Sequence, residues 1–198
     1  MQNEPAAVGP VSQPDYFELF GVARRFGLDR SALEKKFYEL SRQNHPDRFT
    51  QAGPEAQRQA LETMSRLNEA YRTLKDPALL RSYLLEICGV QVASETARGI
   101  PQGLPMDLAE DWFEVQDEVM EGSPSALDRV SQVEQRILEL QAASVRSIES
   151  LETRADTTEV ERETVLKEIS QEIRAQSYLK SMLRDVARMK SKLSNVGT

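Results

Sequence analysis

The only histidine of the chain, His45, stands two residues before Asp47 with Pro46 between them, so an imidazole and a carboxylate could act together as a general base and its orienting acid. Nothing in the sequence completes such a site. No paired nucleophile motif, glycine-rich phosphate loop or second carboxylate at a defined offset accompanies the pair, and a His-dependent hydrolase would rest on these two residues alone. By residue type the tripeptide equally reads as an ordinary surface turn. One cysteine and one histidine make neither an internal disulfide nor a four-ligand zinc shell, so no metal and no cofactor is expected. A reducing compartment fits, with Cys88 read as a buried structural thiol at a helix end.

The chain that must position these groups has 198 residues, is 39% hydrophobic and carries a formal net charge of −7. That is enough for one medium domain or two small ones, and too little for a large enzyme core. Before Val90 there are 12 Lys/Arg and 12 Asp/Glu, and from there on 13 and 20, so the acidic excess lies wholly in the second part. Nucleic acid is disfavoured as a partner. Nine of the twelve aromatics precede Val90, which implies two modules of different construction. Residues 1–14, with Pro5, Pro10 and Pro14, read as a flexible leader without a signal region. No stretch approaches eighteen apolar residues, and no membrane is expected among the partners of a cytoplasmic protein.

Apolar spacing predicts helices throughout, with no period-two alternation, so the expected fold class is all-α. A short helix opens at Asp15 and can end at Gly21. Asp29 caps a second that begins near Arg30, whose Leu33, Phe37 and Leu40 form one stripe while Lys35 and Arg42 share the opposite face. That basic face is read either as simply solvated or as a docking surface. A third helix begins close to Pro54, with Ala60, Met64, Leu67, Tyr71 and Leu74 as the antiparallel partner stripe, and a fourth carries Leu80, Leu84 and Ile87. Gly99, Pro101, Gly103 and Pro105 mark a linker over residues 91–106. Beyond it a three-helix bundle is expected: Asp107 to about Glu121, a helix capped by Ser123 with Pro124 at its first position and running to about Leu151, and one from Thr158 or Glu159. The middle helix spreads Leu127, Leu138 and Val145, among others, over a wide apolar arc.

The order Asp15-Tyr16-Phe17, a helix with a basic outer face, His45-Pro46-Asp47-Arg48-Phe49, and the ending Asn68-Glu69-Ala70-Tyr71-Arg72-Thr73-Leu74-Lys75-Asp76-Pro77 resembles a J-domain, here residues 15–90. The resemblance implies that the loop docks on a DnaK-type chaperone and promotes that partner's ATP hydrolysis. Pro46 would fix the loop, Asp47 would offer a carboxylate for bidentate pairing with an arginine, and Lys35, Arg42 and Arg48 would steer the encounter. The opening Asp15-Tyr16-Phe17-Glu18-Leu19-Phe20-Gly21, the segment Arg81-Ser82-Tyr83-Leu84-Leu85 and the acidic helical bundle over 107–198 are similar to the HscB-type co-chaperones of iron–sulfur cluster assembly.

Residues 107–121 hold seven acids and no base. Leu108, Trp112, Val115 and Val119 form the core stripe, and Ala109, Phe113 and Met120 lie about a quarter turn away beside Glu110, Asp117 and Glu121. Phe113 and Met120 either widen the core face or anchor a client inside an acidic rim. The HscB resemblance implies the second, with Phe113, Glu114, Asp117 and Glu121, and Tyr178 on the last helix, binding the iron–sulfur scaffold; Met120 joins them by its place on the same smaller apolar stripe. A J-domain co-chaperone with a different client remains the alternative.

Overall fold

The computed structural model describes residues 14–91, 100–101 and 103–196. The leader expected over 1–14 lies outside them except for Pro14, as does most of the linker expected over 91–106. Among the described residues every regular element is helical, and the chain divides into two compact units that part between Leu84 and Leu85.

The first unit holds α1 (Tyr16–Phe20), α2 (Arg30–Gln43), a 3-10 turn (Pro46–Phe49), α3 (Pro54–Lys75) and most of α4 (Pro77–Ile87). Side-chain caps start α1, α2 and α4. Asp15 accepts from the Glu18 amide at 2.8 Å while Glu18 accepts from the Asp15 amide, a reciprocal box, and Gly21 closes the helix in the left-handed conformation at φ +63°. Asp29 accepts from the amides of Ala32 and Ser31, which hold its carboxyl below the usual carboxylate range. Asp76 ends α3 and caps α4 in the same stroke, accepting from Ala78 and Leu79 at 2.9 Å. Phe17, Phe20, Leu33, Leu67, Ala70, Leu74, Leu80 and Leu84 are buried. Of the stripe expected on α2 only Leu33 is fully buried; Phe37 and Leu40 are half-buried, because the Phe37 ring leaves the core to stack on Tyr71 of α3 at 4.2 Å. Tyr83 of α4 lies against Tyr16 at 4.4 Å and accepts its amide N–H, fixing α4 on α1.

The second unit is the expected bundle: α5 (Met106–Glu121), α6 (Ala126–Thr157) and α7 (Arg162–Val196). Leu108, Trp112 and Val115 of α5, Val130, Val133 and Ile137 of α6, and Leu179, Met182 and Val186 of α7 form its core. Ser170 of α7 donates to the Gln91 carbonyl at 2.9 Å, so the chain just after α4 belongs to this unit.

The boundaries of α6 differ from expectation. It starts at Ala126 with Ser125 at the cap position, since Ser123 turns its hydroxyl to Ser125 instead of to a helix amide, and Pro124 lies in the turn. It also continues past Leu151 to Thr157, because Ala155 extends the buried line and the Thr153 and Thr157 hydroxyls bond back to carbonyls of the preceding turn. The buried line is narrower than the expected arc. Leu127, Leu138 and Val145 are exposed, because they sit about a quarter turn from Val130, Ile137 and Ile148. Cys88, expected to be buried, is exposed at the end of α4.

Candidate functional site

The turn between α2 and α3 bonds several of its backbone groups within itself. The Asn44 amide and side chain both donate to the Leu40 carbonyl, at 3.0 and 2.8 Å, and end α2 before the residue pair that Pro46 makes unfavourable for helix. His45 is extended and caps the 3-10 turn: its Nδ1 accepts the Asp47 amide at 3.3 Å. While Nδ1 accepts, the neutral ring carries its proton on Nε2. The Asp47 carboxylate oxygen lies 3.4 Å from the same Nδ1. Arg48 closes the loop, donating its amide to His45 and its guanidinium to the Arg42 carbonyl at 3.3 Å, while the Thr50 hydroxyl donates to the Asp47 carbonyl.

What remains for a partner is the Asp47 carboxylate, with its side chain 86% exposed, and the half-exposed His45 ring. A carboxylate held this way suits a guanidinium from another molecule. Lys35 and Arg42 are exposed on one line of α2, as the spacing predicts. The sequence reading missed Tyr38, which is 63% exposed and lies on α2 three residues after Lys35 and four before Arg42; that spacing was its available signal. Tyr71, stacked on Phe37 at the opposite side of α2, accommodates the Lys75 ammonium 5.1 Å from its ring centroid and pushes that ammonium above its ordinary range.

On α5 the exposed apolar residues are Met106, Phe113 and Met120, at 73%, 63% and 84%. Spaced by seven, they share one line of the helix. Phe113 and Met120 thus stand outside the core, while Trp112 is 8% exposed and inside it. Met106 was missed because the sequence placed the helix start one residue later; the repeat of seven was the signal. Asp117 and Glu121 are exposed beside the line. Tyr178, which the resemblance assigns to client binding, is half-buried and packs against the core of α5, α6 and α7, because its position on α7 adjoins Leu179 and Met182.

Four of the seven acids on α5 face arginines of α6. Arg136 pairs with Asp107 and, at 2.7 Å, with Asp111; Arg129 pairs with Glu114 at 3.0 Å and approaches Asp111 and Glu118. Glu114 therefore helps to hold α5 on α6, though it remains exposed. The Arg136 hydrogen bond holds the Asp107 carboxyl below its ordinary range. A carboxyl depressed in the folded state favours folding above its ordinary range, and that contribution is lost as pH falls towards the folded-state value. Arg136→Met should accordingly flatten the acid limb of a stability-against-pH curve, read from urea midpoints at successive pH values.

Residues 15–83 match the DnaJ domain family. The co-chaperone protein HscB homologue of Bordetella avium is 30% identical over 166 residues, which are 83% of this chain and 98% of that protein. The homologue of Azoarcus sp. is 36% identical over 132 residues, 67% of this chain and 71% of its own. That of Bordetella petrii is 38% identical over 108 residues, 54% of this chain and 63% of its length. Among solved structures, human co-chaperone protein HscB shares the fold with a TM-score of 0.56 and 20% identity, over 91% of this chain and 84% of that one. The HscB chaperone of Vibrio cholerae gives 0.52 and 21%, over 91% and 99%. With a DnaJ domain ahead of a three-helix bundle, and with relatives alike through both units, the chain belongs to the HscB family of J-domain co-chaperones.

Proposed function

We propose that residues 15–90 dock on a DnaK-type, HscA-like chaperone and stimulate its ATPase, while the bundle over 107–198 holds the scaffold protein on which iron–sulfur clusters are assembled and so delivers it. The observation that carries this reading is the 3-10 turn at Pro46: His45 caps it through Nδ1, and it presents the Asp47 carboxylate to solvent with the side chain 86% exposed. Such a loop suits binding and leaves the chemistry to the partner. The chain acts without a catalytic site or cofactor of its own, in the cytoplasm, and engages neither nucleic acid nor membrane. Phe113, Met120 and Met106 supply apolar anchors, with Asp117 and Glu121 as an acidic rim and Glu114 at its edge. Tyr178 contributes through the core side of the same helix pair.

Co-purification of the chain with candidate scaffolds, together with ATPase turnover of the chaperone with and without it, tests the reading; absence of both effects refutes it. Lys35→Ala combined with Arg42→Ala should slow association and flatten its salt dependence, with a smaller change in dissociation, because these exposed charges act at a distance. Stopped-flow association at several ionic strengths separates the two rates.

A further inference from the structure

At the end of the bundle where α5 and α7 finish lies a cleft of about 480 Å³, lined by Val119, Met120, Pro124, Leu127, Lys192 and Leu193. Val119 and Leu193 form its floor, packed against the core. Met120 and Leu127 form its walls and leave much of their apolar surface in water, at 84% and 48% exposure. We infer that this cleft extends the client face of α5, taking an apolar side chain from a client segment that also carries basic residues. The inference rests on the client reading above.

Two observations select that occupant. Met120 belongs to both surfaces: it is the last residue of the Met106, Phe113, Met120 line and a wall of the cleft, so a segment lying along α5 passes Asp117 and reaches the cleft at Met120. Charge selects the flanking residues. Arg129 and Arg136 already occupy Asp107, Asp111, Glu114 and Glu118, which leaves the exposed carboxylates of Asp117 and Glu121, on either side of Met120 in the chain, for cations that flank the apolar side chain, while Lys192 lines the cleft that the apolar side chain itself enters. Leu127 then becomes a client contact contributed by α6, a helix on which sequence reasoning placed none.

The test is calorimetric titration of the full chain with the purified scaffold protein, with thermal melts and sedimentation velocity on each variant. Leu127→Asp should weaken binding tenfold or more while melting like wild type, since a negative charge in the first turn of α6 suits the helix dipole. Leu138→Asp, on the same line of α6 and about 16 Å further along at 1.5 Å per residue, should bind as wild type does. If Leu127→Asp fails to fold, Leu127→Gln takes its place with the same expectation. Should Leu127→Asp bind normally while Phe113→Ala does not, the client face stands and the cleft is no part of it. Equal losses in Leu127→Asp and Leu138→Asp also overturn the inference, because the cleft would then have no special role. A wild-type chain that does not bind the scaffold overturns both readings. A concentration-dependent dimer abolished by Leu127→Asp makes the occupant a second copy of the chain, which refutes a client site.

Discussion

His45→Gln and Asp47→Asn should each abolish stimulation of the partner chaperone's ATPase while leaving helix content and thermal midpoint close to wild type. Asp47 makes its structural bonds through its backbone: its amide reaches His45, its carbonyl accepts from Thr50, and its side chain is 86% exposed. Folding therefore loses little when the charge goes. Binding loses much, because removing one member of a hydrogen-bonded charge pair from an interface costs about 2–5 kcal/mol. That is roughly thirtyfold or more in affinity. His45→Gln acts differently: it removes the ring that a partner would meet, while the glutamine side-chain oxygen still offers an acceptor to the Asp47 amide. A variant that keeps full stimulation with either substitution would sink the assignment of this loop as the coupling element.

Trp112→Ala and Phe113→Ala should separate stability from binding, although the two aromatics are neighbours on α5. Trp112 is 8% exposed and lies in the cluster with Leu108, Val133 and Leu179, so truncation leaves a cavity and should cost about 3 kcal/mol or more. Phe113 is 63% exposed. Its truncation should leave the melt almost unchanged and weaken scaffold binding by about 1 kcal/mol or more, as apolar anchors do. Urea unfolding paired with calorimetric titration measures both quantities. If Phe113→Ala unfolds as early as Trp112→Ala and its folded fraction binds normally, the residue is core and the client face lies elsewhere. Tyr178→Ala should fall between the two, because its ring is shared between core and surface.

The features readable from sequence are those in which one residue decides the backbone locally. Asp15, Asp29, Gly21 and the Asn44-His45-Pro46 break place the helix ends of the first unit to within a residue, because caps, left-handed glycine and proline act over three or four positions. The start of α6 was less legible. Ser123-Pro124 and Ser125 compete for the same role, and the left-handed Gly122 followed by the Ser123 amide bonded to Glu118 carries the turn two residues further. Exposure on α6 could not be read from hydrophobicity, since Leu127, Leu138 and Val145 are as apolar as the buried residues beside them, and only the placement of α5 and α7 decides which side is covered. The division among the seven acids of α5 was hidden for the same reason. Arg129 and Arg136 lie seven apart on another helix, and only their pairing divides the acids into those that hold the bundle and those left for a partner.

If the first unit acts on the chaperone and the second delivers the client, the two effects must combine in one turnover assay. The measurement is single-turnover ATP hydrolysis by the chaperone in the presence of the full chain, titrated with the iron–sulfur scaffold protein. Scaffold should raise the stimulated rate beyond what chain or scaffold achieves alone, Phe113→Ala should require far more scaffold for the same rise, and Asp47→Asn should abolish it at every concentration. A rate stimulated by the chain but indifferent to the scaffold, in wild type and Phe113→Ala alike, would contradict delivery and leave a J-domain co-chaperone whose client is something else.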